Sequence, residues 1–217
     1  MTTLPRTAID VIAAELAPLR GRTILDIGCG KGVLRAPLET LGARWHGLDP
    51  LGTAADLPID TATAEAMPYP DASFDAAICV NALHHVPVPA MPAALSEAAR
   101  VLRNDGVLLV IEPRATGALS QVIAVVDDET ALRNAAQTAM DRTGALFQTA
   151  AYDYERVEGY ADFEAFCTSL IDVDPGRRGP IAARRAALHA AFDRMAGHDG
   201  PRRTLTQTMS VRVFRPH

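Results

Sequence analysis

Ile24-Leu25-Asp26-Ile27-Gly28-Cys29-Gly30-Lys31-Gly32 is the stretch that decides the fold. An apolar run ends in glycines at three alternate positions, and residues 32–41 read as a helix with Pro37 inside it. Strand, glycine turn, helix is the opening of a β-α-β unit. Glycines in such a turn allow left-handed backbone and let a ligand approach the main chain closely. The spacing is GxGxG rather than the GxGxxG of dinucleotide folds, and Asp26 before the turn repels a pyrophosphate. A phosphate loop fails as well, because Gly32 stands where Ser or Thr is required after Lys31. The acidic residue instead suits a ligand with positive charge beside the turn.

Outward from this loop the rhythm repeats. Residues 22–27, 43–48, 74–80 and 107–111 read as strands, and 4–19 and 89–103 as helices, the latter ending in a turn at Asn104-Asp105-Gly106. Strands apolar on both faces and alternating with helices predict an α/β fold, a mostly parallel sheet covered on both sides. After Glu112 the rhythm changes. Residues 120–141, 162–171 and 181–195 read as helices, 146–157 and 204–214 as strands, and 197–200 as a loop.

Composition sets bounds. The chain has 217 residues, 48% hydrophobic and 22% charged, with a formal net charge of −5. Apolar content of this order excludes disordered and fibrous classes. The acidic balance disfavours nucleic acid and anionic membrane as partners. Cys29, Cys79 and Cys167 are far apart and show no metal-ligand spacing, so thiols in a reducing compartment are expected, and no metal. The N-terminal residues lack a basic segment followed by an apolar one, and no run approaches the roughly 20 residues of a membrane span. A cytoplasmic protein is the expectation.

The second strand ends His46-Gly47-Leu48-Asp49-Pro50, placing a carboxylate 17 residues beyond Gly32. A carboxylate at the end of the neighbouring strand accepts hydrogen bonds from both hydroxyls of a ribose. Three further segments follow in order: Ala64-Glu65-Ala66-Met67-Pro68-Tyr69-Pro70-Asp71-Ala72-Ser73-Phe74-Asp75, Asn81-Ala82-Leu83-His84-His85-Val86, and Arg100-Val101-Leu102-Arg103-Asn104-Asp105-Gly106-Val107-Leu108. Together these motifs, spanning about residues 20–112, resemble the class I S-adenosylmethionine-dependent methyltransferases, in the small-molecule branch similar to ubiquinone and menaquinone biosynthesis methyltransferases.

The resemblance implies a Rossmann-like doubly wound sheet of seven strands, the last antiparallel, with helical additions in the C-terminal half. It implies one domain over 1–217, with 20–112 binding the cofactor and 113–217, including the last two strands, covering the substrate. It implies methyl transfer from S-adenosylmethionine to an O, N or C atom of a small-molecule acceptor, leaving S-adenosylhomocysteine. Asp26 and the Gly28, Cys29, Gly30 loop would hold the methionine part, Asp49 the ribose, Pro50 one adenine face, Ala64 and Glu65 the adenine edge, and Asn81 the methionine ammonium. The first helix would lie over the cofactor with Arg6 or Thr7 near it.

Two departures stand out. Thr63 occupies a position where the family commonly has Asp, and only 51–56 is available for the helix after the second strand. His85 and His84 are the candidate general bases, since imidazole titrates near neutrality; holding the loop through a backbone bond is the rival role for each. Arg114 pairs with a carboxylate acceptor, with Glu112 or with solvent. Arg177, Arg178, Arg184 and Arg185 form a solvated helix face or an anion-binding lid. Tyr152, Tyr154, Tyr160, Phe163 and Phe166 make an apolar acceptor site or core, and Trp45 is expected in the core. The alternatives to a small-molecule methyltransferase are a cofactor-binding protein of the same fold without turnover, an RNA methyltransferase, for which the Asn-Pro-Pro-aromatic motif is missing at Asn81, and an NAD-dependent oxidoreductase.

Overall fold

A computed structural model describes residues 7–52 and 57–217. The chain runs α1 (Ala8–Glu15), β1 (Thr23–Ile27), α2 (Arg35–Thr40), β2 (Arg44–Leu48), β3 (Ile59–Asp60), β4 (Phe74–Val80), α3 (Met91–Val101) and β5 (Leu102–Pro113). It continues with α4 (Ala118–Ile123), α5 (Thr130–Asp141), β6 (Leu146–Tyr160), α6 (Phe163–Val173), α7 (Arg178–Ala183), α8 (Arg185–Met195), β7 (Gly197–Asp199) and β8 (Arg202–Pro216). Seven strands form one sheet in the order β3-β2-β1-β4-β5-β8-β6, and the short β7 pairs antiparallel with β8. The expected mostly parallel α/β sheet is present, with that one additional strand.

The chain divides into two compact units. Of the described residues, the larger comprises those within 7–112, 135–153 and 210–217, and the smaller 113–134 and 154–209. In the larger unit β1 pairs in parallel with β2 and β4, and β4 with β5, so that Leu25, Ala77 and Leu108 form one cross-strand row and Ile27, Cys79 and Val110 the next. These rows face Leu95, Ala98 and Val101 of α3 and Ala136 and Met140 of α5 in one apolar cluster. Each buried leucine there contributes about 2 kcal/mol. With period two along a strand, Asp26 lies on the opposite face, level with Gly47 and Ile78. The smaller unit has its own cluster, in which Phe163, Phe166 and Phe192 meet Leu119, Val122 and Leu205.

Several boundaries differ from the sequence reading, each for a physical reason. Helix α2 begins only at Arg35, so Pro37 falls in the first turn, where its missing N–H has no helical acceptor to lose. Residues 103–106 are no turn before the strand but a bulge inside β5: Leu102 pairs with Phe74 and Val107 with Ala76, leaving four residues opposite Asp75. The helix expected over 120–141 is two, because Asp128 accepts a hydrogen bond from the Thr130 N–H and starts a new helix. The helix over 181–195 is also two, α7 and α8, divided at Arg184. The loop at 197–200 contains β7, joined to β8 through Gly200, whose φ is +57°. Of the segment 51–56, residues 53–56 lie outside the described residues, as does Arg6. Thr7 caps α1, exchanging hydrogen bonds with Asp10.

Candidate active site

The parallel strands of the larger unit end at β1, β2, β4 and β5, and a parallel sheet gathers its ligand loops at the carboxyl ends of its strands. After β1, Gly28, Gly30 and Gly32 all have positive φ, +71°, +54° and +71°. Two different constraints act on them. A Cβ on Gly28 would stand 2.5 Å from the Cβ of Ala82, so glycine is needed for the turns after β1 and β4 to touch. A Cβ on Gly30 would meet nothing within 4 Å, so that backbone faces open space. Asp49, at the end of β2, fixes the loop: its Oδ2 accepts the Gly30 N–H and its Oδ1 the Leu51 N–H, each at 2.9 Å. The two oxygens retain lone pairs for two further donors.

Asp26 is 2% exposed and has one hydrogen bond among the described residues, from the Trp45 indole Nε1 to Oδ2 at 3.0 Å. Burial pushes its carboxyl up from 3.8 to about 7; the indole hydrogen bond opposes this and the nearby Asp49 adds to it. Trp45 is in the core as expected, with an added role that sequence reasoning missed. It stands two residues before Gly47 on one strand face, and any Cβ on Gly47 would lie 2.5 Å from the indole ring. Burial likewise pushes the Cys29 thiol up to about 12 and the Cys79 thiol well above its ordinary value, so neither serves as a nucleophile.

The second cluster forms at the ends of β4 and β5. Asn81 has φ +53°, a conformation asparagine tolerates, and its N–H bonds the Ile111 carbonyl. A 3₁₀ turn, Leu83–His85, follows. Glu112 is fully buried at the end of β5. Its Oε1 accepts the N–H groups of Ala82 (2.9 Å) and Leu83 (2.8 Å), and its Oε2 lies 2.5 Å from His84 Nδ1. Glu112 is therefore the anchor of this turn, a role the sequence reading did not assign. The available signal was a charged residue closing an otherwise apolar strand, which burial obliges to find partners. His84 is 3% exposed, whereas His85 is exposed with its ring 4.0 Å from that of His84.

Other candidates are distributed as follows. Ala64 packs on the apolar cluster that contains Ile27, Leu48 and Leu83, Glu65 follows it half-buried in a turn, and Pro50 is exposed after β2. The arginine cluster is not one solvated face. Arg177 is 8% exposed and paired with Asp127 and Glu129, Arg184 bonds the Val125 carbonyl, and Arg185 pairs with Glu164. Tyr160, Phe163 and Phe166 belong to the core of the smaller unit. Tyr152 donates to Glu15 at 2.7 Å.

A family profile described as "Methyltransferase domain" matches residues 25–110. Ubiquinone biosynthesis O-methyltransferase of Paraburkholderia xenovorans (strain LB400) is 32% identical over 126 residues, 52% of this chain and 53% of the relative. The same-named protein of Methylobacterium sp. (strain 4-46) is 40% identical over 81 residues, 32% of each chain. The chain spans about half the length of the first of these curated relatives. Among solved structures, the YcgJ protein from Bacillus subtilis aligns over 96% of this chain and 97% of its own, with TM-score 0.64 and 18% identity. The [4+2]-cyclase SpnF aligns over 96% of this chain and 80% of its own, with TM-score 0.59 and 20% identity. Those two likenesses show the fold alone, and a cyclase among them shows that the fold does not dictate the reaction.

S-adenosylmethionine, the cofactor of class I methyltransferases, fits the residues present. Asp26 is a buried carboxyl with one hydrogen-bonded oxygen and no cation among its described partners, which an ammonium group would supply. Asp49 offers the remaining lone pairs for a diol, and the main chain at Gly30 is open to close approach.

Proposed function

We propose that this chain, whose residues 25–110 match a methyltransferase domain, transfers a methyl group from S-adenosylmethionine to the oxygen of a small-molecule acceptor, a phenol-like hydroxyl. One observation carries the reading: two carboxylates, Asp26 and Asp49, end neighbouring strands around one glycine turn. One of them has no counter-charge among the described residues, and the other is locked to the turn's backbone. The choice of oxygen is supported by the names of the curated relatives.

The cofactor supplies a methyl group on a positively charged sulfur, open to in-line displacement by a nucleophile. Asp49 accepts the ribose hydroxyls, and Asp26 faces the methionine ammonium across the Gly28, Cys29, Gly30 backbone. Pro50, Ala64 and Glu65 border the adenine, and Asn81 the methionine end. A phenol is a poor nucleophile until it loses its proton, and His84, with His85 beside it, takes that proton. Residues 113–217 carry none of the matched motifs and set the choice of acceptor. The compartment is the reducing cytoplasm, in keeping with three buried free cysteines. Among the described residues no helix is long and apolar enough to cross a membrane.

Two assays test the reading. Calorimetry with S-adenosylhomocysteine is expected to show one site per chain, weakened about 100-fold in Asp49→Ala. Mass spectrometry of a panel of phenols, amines and carbon acids incubated with S-adenosylmethionine is expected to show methylation of the phenols. Absence of binding overturns the cofactor assignment, and methylated amines with unmodified phenols overturn the oxygen assignment.

A further inference from the structure

We propose that Glu112 is a positioning residue that decides which nitrogen of His84 takes the acceptor's proton. The inference rests on oxygen as the methylated atom and deepens that reading. A buried carboxylate is an acceptor only. With Oε1 saturated by the Ala82 and Leu83 N–H groups, Oε2 faces Nδ1 at 2.5 Å and holds the hydrogen there. Nε2 is then left with its lone pair. Beside the buried His84 ring stands the exposed ring of His85, at 4.0 Å. The same carboxylate fixes the turn that carries His84, two residues after Ala82, and Ala82 touches the glycine turn at Gly28. One buried group therefore sets the position, the ring orientation and the tautomer of the base.

The step balances. The acceptor O–H bond breaks with its proton passing to Nε2. The oxygen forms its bond to the methyl carbon as the carbon–sulfur bond breaks, its electron pair remaining on sulfur. The imidazolium that results lies against the Glu112 carboxylate, which a neutral partner cannot replace, and it returns the proton to water afterwards.

Glu112→Gln separates this role from a structural one. The glutamine Oε1 still accepts both backbone N–H groups, but its amide N–H donates to Nδ1. The hydrogen moves to Nε2 and the base is lost. The measurement is kcat with catechol and with 4-nitrocatechol, whose hydroxyl is far more acidic and needs little help to ionise. For catechol, kcat is expected to fall about 10²–10⁴-fold. For 4-nitrocatechol the loss is expected to stay below about tenfold, because general-base assistance matters little once the nucleophile is already ionised. S-adenosylhomocysteine affinity is expected to be unchanged. His84→Gln, which leaves the Glu112 bonds to Ala82 and Leu83 intact, is expected to show the same split between the two phenols. Equal losses with both phenols, or none, in either variant overturn the proposal. If the wild-type protein methylates neither phenol, the oxygen reading falls first and this inference with it.

Discussion

Asp26 and Glu112 are buried acids near the carboxyl ends of β1 and β5, the two strands that flank β4, yet their surroundings differ. Among the described residues Asp26 has a single hydrogen bond, from an indole, and burial holds its carboxyl near 7. Glu112 has three donors on its two oxygens, two backbone N–H groups and an imidazole. An acid short of partners is complementary to a cation that arrives from outside. An acid satisfied by its own chain acts on its neighbours by fixing them. The β1–β2 end thus suits a charged ligand, and the β4–β5 end suits a preorganised base.

The severest way to break this comparison is to separate the two ends where they touch. Valine at Gly28 takes on a left-handed backbone costing about 1–2 kcal/mol. Its side chain also meets Ala82 within 3 Å, a crowding of about 1–3 kcal/mol. Denaturant unfolding of Gly28→Val is expected to show a loss of roughly 3 kcal/mol together with lost cofactor binding. An unaltered midpoint would mean that the two turns are independent.

Next in size is Asp49→Ala, which leaves β4 and β5 untouched. Two charge-assisted bonds to ribose at about 1.5–3 kcal/mol each, partly replaced by water, predict S-adenosylhomocysteine binding about 100-fold weaker. Calorimetry measures it, and a change below tenfold would remove Asp49 from the ribose site.

Asp26→Asn sharpens the contrast through pH. In the ligand-free protein the folded carboxyl titrates near 7 against an ordinary 3.8, so the folded state holds this proton more tightly than the unfolded state. Asp26 therefore contributes stability that is fully present below the ordinary value of 3.8 and is lost as pH rises through about 7. Melting temperature across that window is expected to decline less steeply in Asp26→Asn than in the wild type. Parallel curves would show that Asp26 is ordinary in its titration.

The smallest effect belongs to Trp45→Phe. It removes one hydrogen bond to Asp26, costs about 1 kcal/mol of stability, and moves the Asp26 titration further upward. An unchanged stability profile against pH would show that the indole does not govern Asp26.

Much of this was legible in the sequence, for identifiable reasons. The core strands were readable because parallel strands are apolar on both faces, and β4 was expected at its observed bounds, Phe74–Val80. Asp26, Asp49 and the glycines were readable because local chain order puts a turn between them. The bond from Trp45 to Asp26 and the three bonds of Glu112 were not, since strand register brings their partners together across 19 to 30 positions of sequence. The helix breaks near Asp128 and Arg184 were hidden in alanine-rich stretches whose periodicity continues across them. The buried pairing of Arg177 depends on a contact 50 positions away.

The central claim is that Asp26 is a carboxyl waiting for the ammonium group of the cofactor. It is tested most directly by titrating S-adenosylhomocysteine calorimetrically at neutral pH in buffers of different ionisation enthalpy. Binding is predicted at one site per chain with net release of protons, since the ligand's positive charge lowers the Asp26 carboxyl from about 7; Asp26→Asn abolishes that release. Affinity is predicted to weaken as pH falls below about 7. Binding that neither exchanges protons nor depends on pH would contradict the account, as would no binding at all.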